Sequence, residues 1–250
     1  MTAPVFRLDP LPDAGTVVLA GDEGRHAATV RRMRVGERID VTDGRGTLAE
    51  CVVSQVGRDR LELRVEQRRS LPTPSPRLVV VQALVKGERS ELAVELLTEL
   101  GVDEIVPWEA ERCVARWAGE KSARRWSAAA EAAAKQSRRV HWPLVAAVAG
   151  TDEVAARLAR AALAAVLSEA ASLPLTSATP LVSADRLASA TPNDGEIAVV
   201  VGPEGGISPV ELESFAAVGA RSYRLGDTVL RASTAGAAAA SVLLAATGRW

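Results

Sequence analysis

The sequence predicts an α/β protein in two parts: a small β-rich domain over residues 1–71 and a larger α/β domain over 77–250. Three observations predict it. Before residue 70, short runs alternate apolar and polar residues between turn signals, the pattern of a small barrel or sandwich. Leu71-Pro72-Thr73-Pro74-Ser75-Pro76 then sets out three alternate prolines, a semi-rigid extended linker over 72–76. Beyond it strands alternate with helices, and Ile197-Ala198-Val199-Val200-Val201 is wholly apolar, like a strand buried on both faces of a parallel sheet.

The totals narrow the function classes. A chain of 250 residues, 48% apolar and 24% charged, has ordinary globular composition and enough length for two modest cores. Its net charge of −1 gives no global positive field, so any nucleic-acid contact must use locally arranged cations. These are almost all arginine; the lysines are Lys86, Lys121 and Lys135. Two cysteines, Cys51 and Cys113, and two histidines, His26 and His141, argue against a metal centre or a His-based catalytic cluster. Neither a signal-peptide pattern nor an 18-residue apolar run occurs, so a cytoplasmic protein without membrane attachment is expected.

In the first domain, Thr16–Leu19, Arg38–Thr42, Leu48–Val53 and Arg60–Val65 read as strands, with Asp43-Gly44 as a hairpin turn. Between the first two, Gly24 to Gly36 holds Arg25, His26, Arg31, Arg32 and Arg34. Helical spacing turns His26, Val30 and Met33 inward and leaves the arginines outward. The residues alone leave two readings open, a solvated basic face and a patch that contacts phosphate.

The second domain opens with the strand Leu78–Leu84. Glu91–Leu100 reads as a helix with Leu92, Leu96, Leu97 and Leu100 inward, stopped by Gly101. Glu104–Trp108 is a strand, and Ser122–Arg139 a long alanine-rich helix. From Glu111 to Trp142, eight Lys/Arg face three Glu, and Arg112, Arg138 and Arg139 are candidate RNA contacts. The interspersed Trp117, Trp126 and Trp142 read as core. Thr151–Ala162 is a helix, Ala164–Leu167 a strand, and residues 171–196 mostly loop. Tyr223-Arg224-Leu225 is a last short strand, and Thr234–Thr247 a small-residue helix capped by Ser233.

The candidate site follows the strand Ile197–Val201. Gly202-Pro203 ends the strand, and Gly205-Gly206 let the backbone turn and approach a ligand closely. Ser208 as N-cap, Pro209 at N1 and Glu211 at N3 spell a capping box for the next helix. Ligands of open α/β sheets sit at such carboxyl ends. The loop matches neither glycine-rich phosphate fingerprint, and Glu204 disfavours a polyphosphate; a ligand with a cationic centre suits it better. On these residues alone, a tight connection without any ligand stays equally open.

Two segments carry a resemblance. Gly202-Pro203-Glu204-Gly205-Gly206-Ile207-Ser208, followed by Leu225-Gly226, Val229-Leu230-Arg231 and Thr234-Ala235, resembles the RsmE family of SPOUT methyltransferases. Lys86-Gly87-Glu88-Arg89, Glu99-Leu100-Gly101-Val102, Pro107, Glu111-Arg112-Cys113, Gln136-Ser137 with Arg139, and His26 through Gly36 resemble further family blocks. The chain departs from the pattern at Ser233, where the family usually has Glu, at Glu95-Leu96 and at Lys135.

The resemblance implies an N-terminal PUA-like β-barrel that binds RNA and a C-terminal SPOUT domain with a deep trefoil knot. It implies S-adenosylmethionine as cofactor, a homodimer, and methylation of N3 of a uridine in 16S rRNA of the small ribosomal subunit. The implied cofactor residues are Leu167, Ser168 and Glu169; Val201, Gly202, Pro203, Glu204, Gly205 and Gly206; and Leu225, Gly226, Asp227, Thr228, Val229 and Leu230. Arg231 is the implied catalytic residue, stabilising the uracil anion, and no metal is expected. Two alternatives stand beside this reading: a SPOUT enzyme acting on another RNA such as tRNA, and a non-catalytic RNA-binding module in ribosome assembly.

Overall fold

The computed structural model describes residues 3–12, 15–182 and 195–250; residues 183–194 of the segment read as loop lie outside them. The chain forms two compact units, one of residues 1–73 with 134–142, the other of 74–133 with 143–250.

The first unit holds β1 (Val5–Arg7), β2 (Thr16–Leu19), α1 (Gly21–Arg25), β3 (Arg38–Thr42), β4 (Thr47–Val56) and β5 (Leu61–Ser70). Its sheet runs β1-β3-β4-β5-β2, antiparallel except for β1 beside β3. Alternation sends Ile39, Val41, Cys51, Val53, Leu61 and Leu63 into a core with Phe6, Val17 and Leu19. The turn between β3 and β4 is closed by Asp43, whose Oδ1 accepts from the backbone N–H of Arg45 (2.7 Å) and Thr47 (3.0 Å).

The basic segment corrects the sequence reading. His26–Val30 is a π-helical turn, with the Arg31 N–H donating to the His26 carbonyl at 2.8 Å. That wider turn shifts the helical phase. Met33 is buried as expected, but its buried companions are Gly24 and Ala27, while His26 is exposed and Val30 is 68% exposed. Residues 134–142 complete this unit. Trp142 donates its backbone N–H to Gly44, and the Arg7 guanidinium lies 5.4 Å from the Trp142 ring centroid.

The second unit alternates β6 (Arg77–Ala83), α2 (Arg89–Leu100), β7 (Glu104–Trp108), α3 (Glu120–Gln136, its end belonging to the first unit), β8 (Leu144–Val145), α4 (Thr151–Leu158) and β9 (Leu163–Leu167). A 3-10 turn (Leu175–Leu181), β10 (Glu196–Val201), α5 (Pro209–Ala217), β11 (Arg221–Tyr223) and α6 (Ala232–Ala246) follow. All six strands are parallel, in the order β11-β9-β10-β6-β7-β8. The apolar runs of β6 and β10 are buried throughout because the sheet is covered on both faces.

Several details differ from the sequence reading. In α2 Leu97 is buried as expected, but the rest of the buried face is Ser90, Ala93, Val94 and Thr98, and Leu92 is 42% exposed. The last strand is Arg221–Tyr223, two residues earlier than expected. Helix α6 starts at Ala232 with Arg231 as N-cap; Ser233 lies inside the first turn, buried, and caps nothing. Trp126 is buried as expected, whereas Trp117 and Trp142 are half-buried.

The amino ends of the strands carry an ion cluster. Arg157 of α4 donates to both oxygens of Glu104 (2.6 and 2.8 Å) and both of Glu196 (2.9 Å each), and Arg77 reaches Glu104 at 2.5 Å. Burial works against charge on Arg157, but the hydrogen bonds to Glu196 and Glu104 outweigh it and hold the guanidinium protonated above its ordinary range. The cluster leaves the opposite, carboxyl ends free for a ligand. Among the described residues no helix is long and apolar enough to cross a membrane.

Candidate active site

A cavity of about 670 Å³ opens at the carboxyl ends of β9, β10 and β11, within the range of small-molecule sites (about 300–1,000 Å³). Val201 ends β10, the strand between β6 and β9, so the following loop leaves from the interior of the sheet. The Gly206 N–H closes a turn on the Pro203 carbonyl at 2.9 Å. Ser208 then caps α5, its Oγ accepting from the Glu211 N–H at 3.3 Å while Glu211 Oε2 accepts from the Ser208 N–H at 3.0 Å.

Glu211 does more than cap. It is 3% exposed, and its Oε1 accepts from the backbone N–H of Glu111 (2.8 Å) and from Thr151 Oγ1 (3.1 Å). One buried carboxylate therefore ties the start of α5 to the loop after β7 and to the start of α4. That loop carries Arg112, whose Nη1 donates to the Gly205 carbonyl at 3.3 Å. A Cβ on Gly205 would stand 3.2 Å from Arg112 Cβ and 3.3 Å from its carbonyl oxygen, so glycine permits this approach.

Two further walls close the cavity. Leu167, Ser168 and Glu169 end β9, with the Ser168 N–H donating to the Tyr223 carbonyl at 2.9 Å. The segment 225–231 returns from β11 to α6, braced by Arg224 donating to Asp227 Oδ1 at 2.8 Å. Gly226 has a backbone that any residue adopts, and a Cβ there would meet no atom within 4 Å. The fold itself does not require glycine at 226. Helix α6 begins at this wall without a side-chain cap, so the positive end of its dipole faces the space lined by Ala232 and Ser233.

All fifteen residues expected to hold a cofactor, and Arg231, line this one cavity. Glycine room, three lining carboxylates (Glu169, Glu204 and Asp227) and arginines at the rim form a set that fits a sulfonium-bearing amino acid with an attached nucleoside. Of the expected RNA contacts, Arg25, His26, Arg31, Arg32, Arg34 and Arg138 are exposed on the first unit and Arg139 is half-buried there. Arg112 is not with them: it belongs to the second unit and to the cavity wall. The sequence reading missed Arg89, which also lines the cavity, and the long-range bonds of Glu211; only the capping half of Glu211 has a local sequence signal. Among the described residues no cluster of three His, Cys, Asp or Glu could hold a metal ion.

Comparison with known proteins shows the family. Residues 72–244 match the family model described as an RNA methyltransferase domain, and residues 19–66 that of an RNA methyltransferase PUA domain. Over its full length the chain is 47% identical to ribosomal RNA small subunit methyltransferase E of Mycobacterium bovis, of which it covers 94%. The chain belongs to the RsmE family. The Bacillus subtilis member is 27% identical over 90% of this chain and 88% of its own. Among solved structures, the RsmE protein of Neisseria gonorrhoeae bound to S-adenosyl methionine superposes with a TM-score of 0.83, at 26% identity and 98% coverage of both chains. A Legionella pneumophila protein holding bound SAM gives 0.83 as well, at 27% identity and 99% coverage of both. RsmE membership accounts for the two-part architecture: a small β-rich unit of PUA type, then a parallel α/β unit that carries the cavity.

Proposed function

We propose that this protein methylates N3 of a uridine in 16S rRNA of the small ribosomal subunit, using S-adenosylmethionine. The observation that carries the reading is its 47% identity, across the whole chain, to enzymes named ribosomal RNA small subunit methyltransferase E. The cofactor supplies an electrophilic methyl group on a sulfonium. Leu167 to Glu169, Val201 to Gly206 and Leu225 to Leu230 bind it, chiefly through backbone groups of the two loops. Placement of donor and acceptor in line does most of the work, since alignment alone can lower such a barrier by several kcal/mol.

The acceptor nitrogen carries a proton that must pass to solvent, and the negative charge left on the uracil then spreads over the ring oxygens. Arg231 stabilises that charge, aided by the uncapped start of α6. Arg231 is exposed, and its backbone is fixed, because its carbonyl accepts from the N–H groups of Thr234 and Ala235 at 2.9 Å each. The first domain, over 1–71, holds RNA through Arg25, His26, Arg31, Arg32 and Arg34, and Arg138 and Arg139, which belong to the same compact unit, add to it. The protein acts in the cytoplasm as a homodimer, with the knotted topology of SPOUT enzymes in its second domain, 77–250.

Calorimetry with S-adenosylmethionine and a methylation assay on small-subunit rRNA test this together. Arg231→Ala should bind the cofactor like the wild type and lose methylation by about 100-fold or more, the scale of removing one transition-state donor. Unchanged turnover would reject the role of Arg231. A wild type that binds no cofactor would reject the enzyme reading.

A further inference from the structure

Arg89 lines the mouth of the cavity. It is the first residue of α2, and its Nη1 lies 3.9 Å from Glu204 Oε1 of the glycine-rich loop. Both side chains are about half exposed, 50% and 42%. A long ion pair in that much water contributes little, and a better anion can replace it. The opposite side of Arg89 borders a second hollow of about 680 Å³ between α2 and α3. There Glu88, Glu91 and Glu95 outnumber Arg125, which is itself paired to Glu91 at 2.6 Å, so that side repels phosphate. On the cavity side Arg89 shares the rim with Arg112 and Arg231, neither of which has a carboxylate ion pair among the described residues.

We propose that Arg89 binds a phosphodiester of the RNA strand beside the target nucleotide, releasing Glu204 as it does so. A guanidinium fork fits a phosphate bidentately, which a single 3.9 Å contact to Glu204 does not match. The acidic hollow behind Arg89 then sets a boundary, and the strand runs over the Arg112 and Arg231 side. The inference rests on the methyltransferase reading above and adds to it a substrate-binding residue and the path of the strand.

The test measures binding of the full-length protein to an unmethylated small-subunit rRNA fragment by fluorescence anisotropy, over a salt series and without cofactor. Arg89→Ala should weaken binding about three- to tenfold near 0.1 M salt and flatten the slope of log Kd against log salt by about 0.7, the value for one contact to a single strand. Arg89→Lys should keep the slope, since the charge remains, while losing part of the affinity. Glu204→Gln, which removes the competing carboxylate, should tighten binding. S-adenosylmethionine affinity of both Arg89 variants should stay within about twofold of wild type. An unchanged salt slope in Arg89→Ala, or weaker RNA binding in Glu204→Gln, overturns the inference while a wild type that methylates keeps the parent reading. A wild type that neither binds nor methylates the RNA overturns both.

Discussion

Gly226→Ala separates what the fold needs from what the cofactor needs. The added methyl would meet nothing within 4 Å and the backbone at 226 is outside the left-handed region, so the folded state accepts alanine without strain. Alanine also narrows the unfolded ensemble, which stabilises by about 0.4–1 kcal/mol. In a chain of this size that raises the melting temperature by about 1–4 °C. The same methyl occupies cavity space beside the proposed ligand, and overfilling a close-fitting site costs about 1–3 kcal/mol. The dissociation constant for S-adenosylmethionine should therefore rise between about 5- and 150-fold. Differential scanning fluorimetry and calorimetry read the two effects separately. Gly202→Ala is the contrast, since its Cβ would stand 2.6 Å from Ile207 Cγ1 and should lower stability and affinity together. A Gly226→Ala protein with wild-type cofactor affinity would refute the assignment of this wall, and a lower melting temperature would refute the claim that the fold tolerates the methyl.

Other consequences follow from charge and burial. Arg157→Ala strips Glu196 of its partner and leaves Glu104, 4% exposed, with Arg77 alone. Denaturant unfolding should show a loss of about 3–5 kcal/mol, with cofactor affinity unchanged because the cluster lies at the far ends of the strands; a loss below about 1 kcal/mol would contradict the cluster's role. Burial pushes the Cys51 thiol from 9.0 to about 11, with Asp40 and Glu66 adding to the shift. The folded state thus holds that proton more tightly than the unfolded one, so the contribution is complete below pH 9 and is lost as pH rises toward 11. Melting temperature followed from pH 8 to 11 should fall more steeply for wild type than for Cys51→Ala, and parallel curves would count against it.

What the sequence made legible was local. Ser208, Pro209 and Glu211 announce a capped helix at fixed offsets, and the structure has that helix at Pro209–Ala217. The apolar run before it reads as a buried strand, and β10 lies inside the sheet. What stayed hidden depends on partners far away in the chain. Val5–Arg7 is too short to show a period and is a strand because β3 lies beside it. The π turn at His26–Val30 shifts the phase on which the inward residues were chosen. Leu92 looks like core by composition, yet α2 buries Ala93 and Val94 and leaves Leu92 exposed. The same limit applies at the site. Both glycine loops could be named from the chain, but Arg89 beside Glu204 and Arg112 beside Gly205 join residues 115 and 93 positions apart, which no local spacing encodes.

The most direct measurement is mass spectrometry of nucleosides from 16S rRNA of a strain lacking this gene. The account predicts that 3-methyluridine disappears from the small-subunit rRNA, returns with the wild-type protein and fails to return with Arg231→Ala. 3-Methyluridine at wild-type levels in the deletion strain would contradict it.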